Sequence, residues 1–230
     1  LALTVGIKAA KHDILLFTEA NCEPMGKNWI SAMARNYASS TNIILGFCAY
    51  GHHKGFFHKL VAYDNLITGL QYISSALTGN PYTGNGRNLS YRKDLFFAHK
   101  GYYKSLSLHA GDDDLFINES ATDQNTWVEY SPESITEMAK IDRFSMWKEM
   151  KVSRAATQRY YKGWNLTFFR MESLSYFLFF IAVIASILMG ILGNWLISIL
   201  AGLLYIIRFS TKATILHKSA KLLQQKPVTG

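Results

Sequence analysis

The sequence predicts an α/β globular part followed by a helical membrane part. Charged residues make up 17% of the 230 residues, whereas soluble domains carry about 25%. The deficit is local, because positions 173–207 contain no charged residue. Ahead of that stretch, strand-like and helix-like segments alternate, as they do in α/β sheets. The aromatic content of 14% and the two cysteines exclude a disordered chain and a disulfide-rich secreted scaffold.

The alternation begins with a short helix over residues 1–10 and a buried apolar strand over residues 14–17. A polar turn over residues 18–24 follows that strand. Residues 28–38 predict a helix, and residues 43–50 predict a second apolar strand. In α/β sheets the loop after the carboxyl end of a strand is the usual ligand site. The turn over residues 18–24 is therefore a candidate site.

The rest of the globular part adds six further segments with recognisable patterns. In chain order, they are a long amphipathic helix (56–75), a loop rich in Gly, Asn and Pro (79–87), a short strand (88–91), one or two helical turns (94–99), an acidic turn that opens a helix (109–119) and a strand (126–130).

The uncharged stretch 173–207 is too long for one straight membrane crossing. A helix through it would measure about 52 Å, against a hydrocarbon core of about 30 Å. A break is available around the glycines of residues 190–194. We therefore predict a transmembrane hairpin over residues 173–209, with arms 174–192 and 195–209. The alternative is one crossing helix followed by an interfacial or re-entrant arm.

Basic residues flank this hairpin on both sides. Arg170 precedes it, and the tail 210–230 contains lysines and no acidic residue. By the positive-inside bias, both ends belong in the cytoplasm. We therefore predict a multi-pass protein of the inner (cytoplasmic) membrane, with residues 1–170 and the tail in the cytoplasm. In that compartment Cys22 and Cys48 are expected to be reduced thiols.

Residues 140–172, just before the hairpin, mix basic and aromatic side chains. Residues 140–170 contain eight Lys or Arg and only two acidic residues. A basic aromatic helix directly before a span is typical of the lipid headgroup layer, so we predict an interfacial helix. An ordinary solvated helix is the alternative. The net charge of +8 is concentrated beside the membrane, which indicates lipid headgroups as partners and no nucleic acid.

Three adjacent carboxylates, Asp112, Asp113 and Asp114, are the strongest candidates for chemistry. Like charges at this spacing repel, so a helix N-terminus, a cation or a raised pKa in one of them must offset the repulsion. A raised pKa would suit a general base. Capping of a helix by Asp112 or Asp113 is the purely structural alternative. A Gly-Asp-Asp turn also occurs in metal-dependent RNA polymerases, so the triplet alone leaves the chemistry open.

Four motifs follow one another before the predicted spans. They are Thr18-Glu19-Ala20-Asn21-Cys22, a glycine-rich loop over 84–88, Gly111-Asp112-Asp113 and the basic aromatic segment 147–154. This order resembles the membrane-bound inverting glycosyltransferases of family 2, which have the GT-A fold, and in particular bacterial members that end in two transmembrane helices. The resemblance extends from about residue 7 to residue 212. In the family these positions hold an Asp-x-Asp motif, a Glu-Asp or Asp-Asp pair and a Gln-x-x-Arg-Trp motif on an interfacial helix.

The resemblance implies roles for individual residues. Asp113 would be the catalytic base that deprotonates the acceptor hydroxyl for in-line attack on the anomeric carbon, and Asp112 would position it or set its pKa. Glu19 and Asn21 stand at the motif whose second acid binds Mg²⁺ or Mn²⁺ in the family, so they are the candidate metal ligands. Contacts to the pyrophosphate or the acceptor would come from Arg87, Trp147, Lys151 and Arg154.

Two motifs depart from the family pattern. The first reads Glu-Ala-Asn in place of Asp-Ala-Asp, and the neutral carbonyl of Asn21 is a weaker ligand for a hard dication. In the last motif Met150 and Ser153 stand where Gln and Arg are expected and Arg154 takes the place of the aromatic residue, unless the register is shifted by one. These departures favour the main alternative, a catalytically inactive glycosyltransferase-like membrane protein that binds sugar, lipid or a partner subunit. A polymerase-like enzyme is disfavoured by the predicted hairpin.

The sequence therefore predicts a glycosyltransferase that moves a sugar from a nucleotide-diphosphate donor to a glycan or lipid-linked acceptor at the cytoplasmic membrane face, with inversion. A role in cell envelope polysaccharide synthesis is expected. The predicted regions are a partial GT-A catalytic domain (1–139), the interfacial region (140–172), the hairpin (173–209) and a basic tail (210–230). In the family, the first strands, which grip the nucleotide base, precede the Asp-x-Asp strand, so that part of the domain is expected upstream of Leu1.

Overall fold

The computed structural model describes residues 2–103, 108, 111–191, 193 and 195–225. The chain divides into two compact units, one made of Leu1–Gly163 with Ala220–Gly230 and the other of Trp164–Ser219. The first unit mixes helices with two β-sheets, which confirms the predicted α/β class, and the second is helical. Several predictions extend to residues outside this description, namely Leu1 of the first helix, 109–110 of the acidic turn, residue 192 of the first arm, Asn194 of the break and 226–230 of the tail.

The first unit contains the helices and strands that the sequence predicts, together with two short strands that it does not predict, at 136–138 and at 22–24, within the predicted turn. Its strands are β1 (Ile14–Phe17), β2 (Cys22–Pro24), β3 (Ile43–Leu45), β4 (Cys48–Tyr50), β5 (Leu89–Arg92), β6 (Thr126–Val128) and β7 (Thr136–Met138). Its helices are α1 (Ala2–Ala9), α2 (Trp29–Ala34), α3 (Phe56–Leu77), α4 (Lys93–Ala98), α5 (Asp114–Ser120) and α6 (Phe144–Gln158), with a 3₁₀ turn at Pro132–Ser134.

The larger sheet has the strand order β1-β5-β3-β6. The β1–β5 and β5–β3 pairs are antiparallel, and the β3–β6 pair is parallel. In β3 all three residues are buried, as expected for an Ile-Ile-Leu run that lies between two neighbouring strands. In the register of the sheet, Ile43 lies opposite Tyr91 on one side and Thr126 on the other.

The smaller sheet has the order β2-β7-β4, with β2 antiparallel and β4 parallel to the central β7. Its β4 continues the chain from β3 after two residues, so the single strand predicted over 43–50 is in fact two strands in two sheets. Cys22 and Cys48 meet in the core beside this sheet as free thiols, with their sulfur atoms 3.8 Å apart.

The side chain of Asn88 explains the break between β3 and β4. Its Nδ2 donates to the carbonyl oxygens of Phe47 at 2.8 Å and Ser134 at 2.6 Å, and its Oδ1 accepts from Trp29 Nε1 at 3.1 Å. Asn88 is 1% exposed. A Cβ atom placed on Gly46 would lie 2.4 Å from its Cγ, so only glycine leaves room for this amide. Asn88 thereby ties the β3–β4 junction to α2 and to the segment before β7.

The second unit contains two long helices, α7 (Asn165–Ile191) and most of α8 (Trp195–Leu222). The chain breaks between them at Gly193, which has a φ of 104°, within the predicted segment. Ser198 Oγ donates to the Ser186 carbonyl at 2.6 Å, and a Cβ on Gly190 would lie 1.9 Å from that Oγ, so small residues let these helices approach closely.

By length and composition, α8 is the one helix within the described residues that could cross a membrane. The apolar part of α7, Leu174–Gly190, is shorter, so a second span stays a prediction. The sequence ended the second arm at residue 209, but the helix continues to Leu222.

The segment after α8 returns to the first unit. Gln225 is 2% exposed, and its side-chain amide pairs with the backbone of Tyr50, as a neighbouring strand would. The amide accepts from Tyr50 N at 2.8 Å and donates to Tyr50 O at 2.6 Å, and it also accepts from Asn65 Nδ2 at 3.2 Å. Leu223 is buried beside it. Part of the predicted tail is therefore a packed element of the α/β unit.

Candidate active site

A cavity of about 380 Å³ lies among the turn after β1, helix α3, the loop before β5, the start of α5 and helix α6. Six of the eight site residues predicted from the sequence line it, namely Glu19, Arg87, Asp113, Trp147, Lys151 and Arg154. The other two, Asn21 and Asp112, are exposed and do not line the cavity.

Asp113 is held at the amino-terminal end of α5 by two backbone groups. Its Oδ1 accepts from the Asp114 N–H at 2.8 Å, which caps the helix, and its Oδ2 accepts from the Gly86 N–H at 2.7 Å. The predicted capping role and a chemical role are compatible, because an ionised carboxylate has about four acceptor sites and these bonds use two. The glycine-rich loop and the acidic turn thus meet at this carboxylate.

Asp114 was not among the predicted site residues, although it is the most buried of the three acids at 3% exposed. Its Oδ2 accepts from the hydroxyls of Thr157 and Tyr161. Burial, followed by the negative charge of Asp113, raises the pKa of Asp114. The sequence held no signal that separates Asp114 from its two neighbours, because its partners Thr157 and Tyr161 lie far along the chain.

Helix α6 supplies one wall of the cavity. Trp147, Met150, Lys151, Arg154 and Thr157 all line it, because their spacing of three or four residues puts them on one helical face. In the last motif, Met150 and Ser153 stand where the family has Gln and Arg, and Ser153 lines the cavity together with Met150.

The guanidinium of Arg154 interacts electrostatically with the acidic turn. Burial alone would lower its pKa, but the negative charge of Asp113, together with the charges of Tyr161 and Asp114, outweighs burial and raises the pKa. The guanidinium therefore stays protonated at every physiological pH. A permanent positive charge inside a cavity that also holds Asp113 suits an anionic ligand.

Asp64 on α3 faces the same wall and was missed by the sequence analysis. Its Oδ1 accepts from Lys151 Nζ at 2.7 Å, and its Oδ2 accepts from Trp147 Nε1 at 3.3 Å. One carboxylate thus orients two of the four side chains predicted to contact pyrophosphate or acceptor. No motif in the sequence marks Asp64, because its role depends on the packing of α3 against α6.

The predicted metal ligands do not form a metal site by themselves. Glu19 Oε2 is paired with Arg87 Nε at 3.0 Å, and Asn21 accepts from its neighbour Cys22 Sγ at 3.4 Å outside the cavity. In the part of the chain that the structure describes, no three His, Cys, Asp or Glu side chains are grouped to hold a metal ion. A Mg²⁺ or Mn²⁺ ion prefers several oxygen ligands, so this donor set does not fit one.

Neither a protein-family model nor a curated protein matches this sequence. Among solved structures, a mannosyltransferase from Pyrobaculum calidifontis, in complex with GDP-Man and Mn²⁺, is similar over 99% of this chain, with 14% identity and a TM-score of 0.49. The chain spans 60% of the length of that protein. At this identity and TM-score the similarity carries no argument about this chain.

Proposed function

We propose that the protein is a membrane-bound inverting glycosyltransferase of the family 2 type, which moves a sugar from a nucleotide-diphosphate donor to a glycan or lipid-linked acceptor. The observation that carries the proposal is Asp113. It is fixed by two backbone N–H groups at the edge of a cavity whose other walls hold the cations Arg87, Lys151 and Arg154. A positioned base beside cations suits transfer from an anionic leaving group.

In the proposed reaction Asp113 accepts the proton of the acceptor hydroxyl. The acceptor oxygen then bonds to the anomeric carbon from the face opposite the diphosphate, whose bond to that carbon breaks, so the configuration inverts. The nucleoside diphosphate leaves with the bonding electron pair. Arg154 stabilises its negative charge, since a guanidinium binds phosphate oxygens in a bidentate geometry. Trp147, oriented by Asp64, offers an indole face to a sugar ring.

The charge of the cavity explains why a divalent cation is expected with the donor. The lining contains five acidic side chains (Glu19, Asp64, Asp113, Asp114 and Glu149) and three basic ones (Arg87, Lys151 and Arg154). A diphosphate therefore meets a wall with excess negative charge unless positive charge accompanies it. A Mg²⁺ or Mn²⁺ ion bound together with the nucleotide sugar would supply that positive charge, since Glu19 and Asn21 do not form a metal site by themselves.

The location at the cytoplasmic face of the inner membrane is supported by α6 and α8. The exposed side chains of α6 include Phe144 at 55%, Met146 at 42% and Val152 at 59%. Among the basic residues of this helix they suit the headgroup layer. Helix α8 is long and apolar enough to cross a membrane. An acceptor that is attached to a lipid, or made at the membrane, would then reach the cavity beside α6.

A second candidate function is a glycosyltransferase-like protein that binds a sugar, a lipid or a partner subunit without catalysis. The observation that favours it is the Glu-Ala-Asn motif. Glu19 is occupied by Arg87, and Asn21 lies outside the cavity. The fixed Asp113 carboxylate favours the enzyme instead.

The test compares Asp113→Asn with Asp142→Asn in the protein expressed from its complete reading frame in membranes. Asp142 is a matched control, because its side chain is 72% exposed and pairs only loosely with Lys140, at 3.8 Å. A panel of nucleotide-diphosphate sugars is supplied with Mn²⁺ or with EDTA, and release of the nucleoside diphosphate is measured. We expect Asp113→Asn to lower kcat by about 10²–10⁴-fold and Asp142→Asn to leave it unchanged.

The possible results separate the two candidates. Near-normal turnover by Asp113→Asn would remove Asp113 as the base and overturn the proposed mechanism. Binding of a donor without turnover by the unmodified protein would favour the non-catalytic candidate. The anomeric configuration of the product, read by NMR, tests inversion.

A further inference from the structure

Helix α5 connects the acidic turn to α6 through two side chains on one of its faces. Asp114 and Asn118 are four residues apart, which places them one above the other on the helix. The Asp114 Oδ2 accepts from Thr157 Oγ1 and from Tyr161 OH, the latter at 2.9 Å. These contacts hold the last turn of α6, and the residues just after it, against the start of α5.

Asn118 makes the second contact of the same face, with the backbone of Lys162. Its Oδ1 accepts from the Lys162 N–H at 2.7 Å, and its Nδ2 donates to the Lys162 carbonyl at 3.3 Å. The same Nδ2 donates to the Tyr82 carbonyl at 2.7 Å. Because Asn118 binds both backbone groups of one residue, it fixes the position of the chain as it leaves α6.

The burial of these groups indicates that the contact has a purpose beyond packing. Asp114 is 3% exposed and Thr157 is 1% exposed. A buried carboxylate is costly unless hydroxyl or N–H donors satisfy it, and an apolar residue would serve the core at lower cost. Asp113 caps α5, and Asp114 Oδ1 accepts from the Leu115 N–H at 2.7 Å in the first turn of the same helix. The other oxygen, Oδ2, provides a directional link to Thr157 and Tyr161.

Arg154 lies on α6 one helical turn before Thr157. The Thr157 hydroxyl also contacts the Arg154 carbonyl at 2.9 Å. Arg154 and Asp113 both line the cavity. We propose that Asp114 and Asn118 are positioning residues, which hold the end of α6 on α5 and thereby fix Arg154 beside Asp113. The consequence for catalysis rests on the proposed function, whereas the effect on Arg154 does not.

The first test needs no substrate. Thr157→Val removes one donor to Asp114 without changing the side-chain shape, and Thr157→Ser keeps the donor. The rate at which phenylglyoxal modifies Arg154 is followed by peptide mass spectrometry in the complete protein. We expect modification about tenfold faster in Thr157→Val, as when one charge-assisted hydrogen bond is lost, and an unchanged rate in Thr157→Ser. An unchanged rate in Thr157→Val would overturn the proposal.

Arg92 serves as the internal reference for folding. Its guanidinium donates to the carbonyls of Thr41 at 2.9 Å and Ala38 at 3.1 Å, away from the cavity. If Arg92 is also modified faster in Thr157→Val, that variant has unfolded, and Tyr161→Phe takes its place as the variant that removes the other donor to Asp114. In Tyr161→Phe, a larger rate increase at Arg154 than at Arg92, each relative to the unmodified protein, supports the link, and an unchanged rate at Arg154 refutes it.

A second test asks whether the link matters for turnover. Thr157→Val is expected to raise the donor KM about tenfold, which is the effect of one lost charge-assisted contact to the diphosphate, and Thr157→Ser is expected to restore it. Faster modification of Arg154 with unchanged kinetics would support the positioning role and count against the role of Arg154 in the proposed function. The two failures are therefore distinguishable.

Discussion

The amide of Asn88 is the contact whose removal we expect to cost the α/β unit most. In Asn88→Ala, the carbonyls of Phe47 and Ser134 and the indole N–H of Trp29 each lose a partner. The Phe47 carbonyl still accepts from Thr136 N at 3.3 Å, and Trp29 is partly exposed, so these two losses are at the low end of the range. With about 1 kcal/mol for each of them and up to about 2 for Ser134, the expected cost is about 3–4 kcal/mol.

Gly46→Ala perturbs the same contact from the opposite side. The three atoms nearest to the added Cβ would all belong to the Asn88 amide, the closest at 2.4 Å. The methyl group must therefore displace the amide and cost about as much as Asn88→Ala. In the double variant the methyl enters the space that the amide has left. The cost of Gly46→Ala should then fall to within about 1 kcal/mol of zero, a strong departure from additivity.

The measurement is urea unfolding of the complete protein in detergent, followed by tryptophan fluorescence, for both single variants and the double variant. Asn28→Ala is the matched control, because its exposed side chain donates only to Glu133, at 3.3 Å, and we expect it to change the free energy of unfolding by less than about 0.5 kcal/mol. Additive costs in the double variant would show that Gly46 and Asn88 do not share one space. A cost below about 1 kcal/mol for Asn88→Ala would refute the hydrogen-bond reasoning.

Two further predictions concern stability. Burial opposes ionisation of Glu129, but hydrogen bonds, first among them those from Ser131, outweigh it and hold its pKa below the ordinary 4.5. The stability that the Glu129 carboxylate contributes is therefore complete above pH 4.5 and is lost as the pH falls through its lowered pKa. In urea unfolding, the free energy of unfolding of the native protein should exceed that of Glu129→Gln at pH 7, and this difference should shrink as the pH falls to pH 3. Gly69→Ala should cost about 1–3 kcal/mol, since its Cβ would lie 2.2 Å from the Phe47 ring. Gly6→Ala in α1, with nothing within 4 Å of the added Cβ, should instead stabilise by up to about 1 kcal/mol, and equal effects of the two substitutions would contradict this.

Elements with strong local patterns were predictable from the sequence. The apolar run that forms β1 and the long amphipathic pattern of α3 are where the sequence predicts them. By contrast, β2 and β7 have three residues each and depend on pairing between distant segments, β2 with β7 and β7 also with β4, which no local pattern reveals. The predicted strand over 43–50 divides because Asn88, far along the chain, needs the space at Gly46.

The candidate site shows the same division. Asp113, Lys151 and Arg154 were predicted because they lie in motifs, and they line one cavity. Asp64 and Asp114 were missed because their partners lie on other helices. Sequence motifs mark the groups that would touch a substrate, whereas the groups that orient them depend on tertiary packing.

The pairing of Gln225 with Tyr50 restricts how the chain can pass through a membrane. Tyr50 precedes α7 and Gln225 follows α8, yet their backbone and side chain are hydrogen-bonded. Two groups in contact are on the same side of a bilayer, so the chain between them crosses an even number of times. A solitary crossing by α8 would separate them. The predicted hairpin, with α7 as the second arm, would keep both groups on one side, and that second span stays a prediction.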